Sequence, residues 1–239
     1  HYGANDELVR AYGPAITMTA GDSQLCTWQI PDLGGQPIAE IGIELRSEAR
    51  ASGTVYLDWL TWRGEPQMRF RRPAEKGDLW RRAWVNGANG FDHWWPEAFR
   101  VIQDEGTGLL MTGTRDWRDY RVSSTITPHM ADRFGIAARV QGLQRYDALV
   151  LSAGGKAQLI KALDGEVVLA EAGFAWEFGK PYELSLQMTG NRIEGWVNGR
   201  RLFDIVDEDR PLAGGGVALL VTEGRIATDE ISVAPVGNG

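Results

Sequence analysis

Residues 182–199 read Tyr182-Glu183-Leu184-Ser185-Leu186-Gln187-Met188-Thr189-Gly190-Asn191-Arg192-Ile193-Glu194-Gly195-Trp196-Val197-Asn198-Gly199. Apolar and polar residues alternate on both sides of Gly190-Asn191 with a period near two, which is typical of half-buried strands. Gly190-Asn191 and Asn198-Gly199 are dipeptides that supply the positive φ angles of tight hairpin turns. The stretch therefore predicts antiparallel strands joined by short turns.

The same pattern recurs along the chain. Val55-Tyr56-Leu57-Asp58-Trp59-Leu60-Thr61-Trp62 alternates in the same way, and further turn dipeptides are Asn86-Gly87, Asn89-Gly90 and Asp164-Gly165. Helical character is confined to residues 5–12 and 94–99, which are shorter than the ~10 residues of a typical helix. The prediction is an all-β fold, namely an antiparallel β-sandwich of the jelly-roll type with a smaller N-terminal β unit.

A change of composition divides the chain. Between Gly64 and Asp78, charged residues and Pro73 interrupt the apolar alternation, which predicts a linker. We therefore predict two domains, 1–75 and 76–239, of which the second holds a dozen candidate strands. The first holds only four, at 15–20, 25–30, 38–47 and 54–62. Four strands close half of a typical sandwich, so the first domain either packs against the second or has its missing strands upstream in a longer parent.

Composition excludes several classes of function. The chain has 239 residues, with Lys+Arg 25 against Asp+Glu 32, and thus a net charge of −7. Without a basic cluster, this charge argues against nucleic acid and anionic membranes as partners. One Cys cannot form an internal disulfide, and three His leave no usual zinc ligand set, whereas oxygen-ligated calcium stays open.

The start of the chain carries a further expectation. It lacks an initiator Met and the apolar run of a signal peptide, so we expect a mature product or a fragment excised from a longer protein, and we favour the fragment. The sequence leaves a secreted and a cytoplasmic bacterial location equally open.

The second domain resembles a known group of sandwiches. The resemblance is carried, in order, by Asp116-Trp117-Arg118-Asp119-Tyr120-Arg121-Val122, Gly135-Ile136-Ala137-Ala138-Arg139-Val140, Tyr146-Asp147-Ala148-Leu149, residues 190–199, Pro211-Leu212-Ala213-Gly214-Gly215-Gly216-Val217 and Asp229-Glu230-Ile231-Ser232-Val233. The sequence from about Phe99 to Val233 is similar to concanavalin A-like sandwiches, specifically the laminin-G-like group with fructan-binding carbohydrate modules and 3-keto-disaccharide hydrolase domains. The resemblance implies a fold and leaves the ligand unspecified.

The first domain has a resemblance of its own. Leu25-Cys26-Thr27-Trp28-Gln29-Ile30-Pro31, Ile41-Gly42-Ile43-Glu44-Leu45 and Ser52-Gly53-Thr54-Val55-Tyr56-Leu57-Asp58-Trp59-Leu60 resemble the closing strands of a galactose-binding-like jelly roll. The pairing of the two domains is similar to the C-terminal region of bacterial ADP-ribosylglycohydrolase-family proteins. It implies an accessory region tethered to a catalytic domain. No hydrolase residues carry over, because the acidic metal-binding motifs of that family have no counterpart in this sequence.

Aromatic residues are the most informative part of the composition. Ten Trp and six Tyr are available to stack on the C–H face of a sugar. Trp94 and Trp95 are adjacent, and neighbours on an extended chain cannot both face one core, so one of them is expected to be exposed or at the interface between the units, and both are candidates for ligand binding. Trp59 alternates out of phase with Leu60 and is a further candidate. Trp28, Trp117 and Trp176 are expected in the core.

A second set of candidates lies in the sandwich. Related sandwiches present ligand-binding residues on a concave sheet, which implies such a role for Arg139, Gln141 and Tyr146 around the turn at residues 142–145. Trp196 shares the phase of Glu194 rather than that of Ile193, which predicts an outward aromatic platform. The competing interpretation is cross-strand packing of the aromatic ring against arginine.

Two aspartates are candidates for a metal. Asp58 and Asp229 are predicted to lie in closing strands. In related carbohydrate-binding sandwiches, an acidic residue at such a position helps to hold a structural calcium, and oxygen ligands suit this hard cation. Plain surface carboxylates are the alternative for both positions.

Signs of catalysis are few. Nucleophile-elbow, zincin and phosphate-loop motifs are absent. Only Asp92-His93 with Glu97 groups a histidine with carboxylates, and we favour a solvated turn as the explanation for this group. The predicted function is a non-catalytic carbohydrate-binding accessory module of a larger glycan-active protein. The alternatives are a glycoside hydrolase or related sugar-active enzyme using His93 and Arg139, and a structural docking domain that binds no sugar.

Overall fold

The computed structural model describes residues 1–50, 52–92 and 99–236. The chain divides into two compact units. The first contains His1–Trp59 and Pro73–Ala83, and the second contains Leu60–Arg72 and Trp84–Gly239. None of the described residues forms a helix with the length and apolar character needed to cross a membrane.

The second unit is built from strands. They are β1 (Met68–Arg71), β2 (Val85–Gly87), β3 (Gly90–Asp92), β4 (Phe99–Thr112), β5 (Tyr120–Gly142), β6 (Arg145–Ser152), β7 (Lys156–Leu163), β8 (Glu166–Gly173), β9 (Tyr182–Thr189), β10 (Arg192–Val197), β11 (Arg200–Val206), β12 (Gly216–Thr228) and β13 (Glu230–Pro235). In the described part of the chain, the one helical segment is a 3₁₀ turn at Leu79–Ala83, in the first unit.

The strands form two antiparallel sheets that share β5. The first sheet has the order β1-β13-β5-β9-β10-β11 and uses β5 only up to Ile126. In the second sheet, β2 and β3 both pair with β4, and the order continues β4-β12-β5-β6-β7-β8 from Thr127 of β5 onward. This arrangement confirms the predicted all-β antiparallel sandwich. β1 comes from the stretch in which a linker is predicted.

The core lies between the sheets. Val122, Leu186 and Val233 share one cross-strand row of the first sheet and are buried, as are Ile136 and Leu149 of the second sheet. Gly195 of β10 faces Leu149, whose methyl carbon would lie 3.5 Å from a Cβ at this glycine. Alternating apolar residues therefore meet across the two inner faces, as a sandwich requires.

Three of the predicted hairpin turns are confirmed. Asn198-Gly199 joins β10 to β11 with φ angles of 50° and 74°, Gly190-Asn191 joins β9 to β10, and Asp164-Gly165 joins β7 to β8. Asn86-Gly87 instead lies in β2, which pairs with β4 and not with β3. This dipeptide therefore does not form a hairpin turn.

The four strands predicted in the first 64 residues are not formed in the described part of that segment. Among the described residues from 10 to 62, the backbone hydrogen bonds made within the segment are two turn contacts, from Asp22 N–H to Thr19 O and from Gln36 N–H to Leu33 O, and Pro37 O accepts one more from Tyr2 N–H. Alternation alone does not make a strand, because the backbone also needs a neighbouring strand to bond to. Hydrogen-bonded turns lie between the predicted strands at residues 19–22 and 33–36, but the residues that the structure describes form no ladders between those strands.

Candidate functional site

A groove of about 720 Å³ follows the outer side of β5, where this strand leaves the second sheet and enters the first. Thirteen residues line it, most of them hydroxylated or charged: Arg100, Ser123, Ser124, Thr125, Thr127, His129, Pro181, Glu183, Ala227, Thr228, Asp229, Glu230 and Ser232. Hydrogen bonds hold its floor, because the Ser124 hydroxyl pairs with the Thr228 hydroxyl at 2.9 Å and donates to Glu230 O at 2.8 Å. The groove is thus a polar cleft.

The groove continues onto the outer face of the first sheet. Strand register places Trp196, Ser185, Ser123 and Ser232 in one row across β10, β9, β5 and β13. We call these four residues the serine row; it spans ~14 Å, since neighbouring strands lie ~4.8 Å apart. Its last two members also line the groove. The Ser185 hydroxyl is buried, whereas Ser123 and Ser232 are partly exposed. An aromatic ring, two hydroxyls and a cleft therefore share one surface.

Trp196 carries an arginine on its ring. The Arg121 Cζ lies 4.0 Å from the ring centroid, which is a cation–π contact. Beside it, Glu194 accepts hydrogen bonds from Arg201 at 2.8 Å and Gln187 at 3.1 Å. The Trp196 ring is partly exposed, which agrees with its predicted outward phase. Its contact with Arg121 also agrees with the competing interpretation, in which the aromatic ring packs against an arginine across the strands.

One side of the groove is cationic. Arg100 of β4 pairs in register with Ala227, and Arg225 of β12 pairs with Met130, the residue after His129. Burial lowers the pKa of His129, and Arg100 and Arg225 lower it further. The imidazole Nε2 is buried and has no hydrogen-bond partner among the described residues.

The other side is acidic. Asp229 lies exposed at the bend between β12 and β13, outside the strand in which we predict it. Glu230 forms ion pairs with Arg71 and, at 3.9 Å, with Arg69. Asp58 is exposed in the first unit, and no group of three or more His, Cys, Asp or Glu suited to a metal occurs in the described ranges. Calcium binding by Asp58 and Asp229 stays a prediction.

Arg139 is not presented to a ligand in this structure. Its side chain is 2% exposed, and the guanidinium donates to Leu212 O at 2.6 Å and Gly190 O at 2.5 Å. The expected binding role of Arg139 came from the resemblance to related sandwiches. The strand has a bulge here, because Arg139 has a φ angle of 50° and the pairing with β6 shifts between Ala138 and Gly142.

Tyr146 and Gln141 are also engaged within the fold. Tyr146 is 3% exposed and belongs to an apolar cluster, and burial raises its pKa. The Gln141 amide donates to Gly214 O at 2.8 Å. The predicted hairpin from Gly142 to Arg145 is present, but the surface described above does not include these side chains.

The remaining aromatic candidates are divided. Trp94 and Trp95, together with His93 and Glu97, lie outside the described residues. Trp59 is 60% exposed but belongs to the first unit. Trp117 is buried as predicted, whereas Trp28 and Trp176 are only partly so. The groove was not predicted from the sequence. The signal that could have indicated it is the group of Ser and Thr residues at positions 123, 124, 125 and 127.

Comparisons with solved structures agree with the architecture. Carbohydrate-binding module CBM66 from Bacillus subtilis is similar, with 16% identity, a TM-score of 0.56, and coverage of 63% of this chain and 94% of that one. A protein of unknown function with a galectin-like fold, also from Bacillus subtilis, has 13% identity, a TM-score of 0.51, and coverage of 65% and 90%. A native glycosidic hydrolase has 9% identity, a TM-score of 0.55, and coverage of 74% and 99%.

At these identities the likeness shows the fold alone: a concanavalin A-like and galectin-like β-sandwich, as the sequence resemblance implied. No protein-family model matches the sequence, and a search of curated proteins finds no match. The resemblance to the accessory region of ADP-ribosylglycohydrolase-family proteins stays a prediction.

Proposed function

We propose that this protein is a non-catalytic carbohydrate-binding module that holds a glycan across the serine row and in the groove. The observation that supports this most is the continuity of the two: Ser123 and Ser232 belong to both. A sugar chain offers C–H faces and hydroxyls together, and this surface offers a partly exposed aromatic ring and the partly exposed hydroxyls of Ser123 and Ser232. In the parent protein the module would be tethered to a glycan-active domain.

The polar lining accounts for how a sugar would be held. Ser and Thr hydroxyls both donate and accept, so they can satisfy sugar hydroxyls in either sense, while carboxylates accept and Arg100 donates. Each such bond replaces one made to water, so its net contribution is about 1 kcal/mol. We therefore expect dissociation constants of ~0.1–1 mM, equivalent to ~4–5.5 kcal/mol.

A glycan array followed by calorimetry tests the proposal. Thr125 is an exposed hydroxyl in the groove, and Thr61 is an exposed threonine of the same unit outside the groove lining. We expect Thr125→Val to weaken binding several-fold and Thr61→Val to leave it unchanged. The absence of binding to any glycan would contradict the proposal, as would equal effects of the two variants.

A glycoside hydrolase on the same surface is the alternative. Glu183 and Asp229 both line the groove, and glycosidases act through a pair of carboxylates. A reducing-sugar assay on the glycans that bind separates the two functions. We expect no release of reducing ends. Turnover that is lost in both Glu183→Gln and Asp229→Asn would replace the module with an enzyme.

A further inference from the structure

Near Pro128, an aromatic ring and positive charge lie on segments that border the groove. The loop from Phe174 to Pro181 is tied to β5 there, because Gly179 N–H donates to Pro128 O at 2.7 Å. Pro181 of this loop lines the groove. Phe178, directly before Gly179, is 57% exposed and rests edge-on against Trp176, with ring centroids 5.3 Å apart.

Two arginines and a histidine come from three strands, Arg100 from β4, His129 from β5 and Arg225 from β12. His129 follows Pro128 and lines the groove with Arg100. Arg225 is exposed on β12 at the register position of Met130, next to His129. The orphaned Nε2 of His129 needs a partner, because a buried imidazole nitrogen without one costs desolvation energy.

We infer that the end of the groove near Pro128 recognises a carboxylate-bearing sugar, with the sugar ring against Phe178 and the carboxylate facing His129, Arg100 and Arg225. The inference rests on the proposed carbohydrate-binding function and names the sugar class that the same site selects. Charge-assisted hydrogen bonds to a carboxylate are about twice as strong as neutral ones. A planar guanidinium also matches a carboxylate geometrically. An acidic sugar should therefore bind here more tightly than a neutral sugar.

Acidic residues elsewhere in the groove limit the number of carboxylates that a bound glycan can have. Glu183, Asp229 and Glu230 line the remainder of the groove, and the whole chain has a net charge of −7. A polyanion would be repelled over about a Debye length, ~8 Å at physiological salt. The ligand that fits is therefore a largely neutral glycan with a single uronic acid residue.

Binding of an acidic sugar should be coupled to protonation of His129. A carboxylate beside His129 favours the imidazolium, which burial and the two arginines disfavour in the free protein. Binding should therefore take up a proton. Asp229, Glu183 and Glu230 are the acidic groups of the same groove. The pH dependence of the affinity for a neutral glycan, measured in parallel, is the control for their contribution.

The experiment uses the full chain and two matched probes, xylotetraose and the same tetrasaccharide carrying one glucuronic acid, with free glucuronate and glucose as the smallest pair. Calorimetry is run at pH 5.5 and 7.5. We expect the acidic probe of each pair to bind at least fivefold more tightly, and only its affinity to fall at the higher pH. Arg225→Ala and Phe178→Ala should each remove most of this preference.

Two control variants lie elsewhere on the surface. Arg210 is 71% exposed and Leu143 is 51% exposed, so Arg210→Ala and Leu143→Ala should leave the preference intact. Equal binding of neutral and acidic probes would overturn the inference while leaving the proposed function standing. An acidic preference that survives both Arg225→Ala and Phe178→Ala would place the uronate elsewhere and also overturn it. Binding of none of these probes, nor of any glycan on the array, would remove both.

Discussion

Lys161 and Asp207 form an ion pair inside the sandwich. The Lys161 Nζ lies 2.8 Å from each carboxylate oxygen of Asp207, and each side chain is 4% exposed. Lys161 belongs to β7 in the second sheet, and Asp207 follows β11 of the first. The ammonium group also donates to Asp209 O. The pair therefore ties the two sheets together at the start of the loop between β11 and β12.

Removing one partner of this pair should cost far more than removing a surface charge. We expect Lys161→Ala to lower the free energy of unfolding by about 3–5 kcal/mol, because the buried Asp207 carboxylate loses its counter-charge. Lys156→Ala is the matched control, since Lys156 and Glu171 form an exposed pair whose loss should have a much smaller effect. Urea denaturation measures both. Equal costs would show that the buried pair has no special role.

Asp147 should make stability depend on pH. Both carboxylate oxygens are buried without a hydrogen-bond partner among the described residues. Burial raises the pKa of Asp147 from 3.8 to about 7; Asp207 adds to the rise, and Arg139 and Lys161 oppose it. Because the folded pKa lies above the unfolded one, the contribution of Asp147 is fully present below about pH 4 and is lost as the pH rises through about 7.

We expect the free energy of unfolding attributable to Asp147 to fall by roughly 2–4 kcal/mol across that interval. Asp147→Asn keeps the shape of the side chain and cannot ionise, so the variant should be more stable than the parent protein at pH 8 and should lose most of this slope. Melting temperatures from pH 4 to 8 measure it. A variant with the same slope as the parent protein would assign the pH dependence to other groups.

Trp196 should contribute to glycan binding through its exposed area. We expect Trp196→Ala to weaken binding about tenfold, since aromatic contacts add roughly 0.5–1.5 kcal/mol beyond their buried area. Trp62 is 68% exposed in the same unit and lies outside the serine row and the groove lining, so Trp62→Ala is the control. Calorimetry with an array-positive glycan measures both. Should Trp196→Ala lower the melting temperature without changing affinity, its stack with Arg121 is purely structural.

The calcium prediction has a direct test. We expect calcium to raise the melting temperature, EDTA to reverse the rise, and magnesium to have no such effect, because calcium accepts irregular oxygen coordination. Asp229→Asn and Asp58→Asn should each reduce the rise if both aspartates hold metal. Identical melting curves with calcium and with EDTA would remove the prediction for both positions.

Prediction from the sequence succeeded where it depended on local pattern. The alternation around Trp196 placed this ring on an outer sheet face, and Asn198-Gly199 formed the expected hairpin turn. The role expected for Arg139 came from the resemblance to related sandwiches, and the structure buries this side chain beside a bulge that local alternation does not predict. The groove could not be foreseen, since His129 and Arg225 are 96 positions apart and meet only through strand register.

The sequence by itself determined the strand type, the hairpins and the sandwich, because side-chain alternation and turn dipeptides act over a few neighbouring residues. Tertiary structure decided which polar residues meet. β5 passes from one sheet to the other, and this crossing brings Ser123 and His129 into one groove while it buries Arg139 at the far end of the strand. Tertiary structure also decided where strands do not form, because the described residues of the four segments predicted between 15 and 62 lack neighbouring strands to complete their backbone hydrogen bonds.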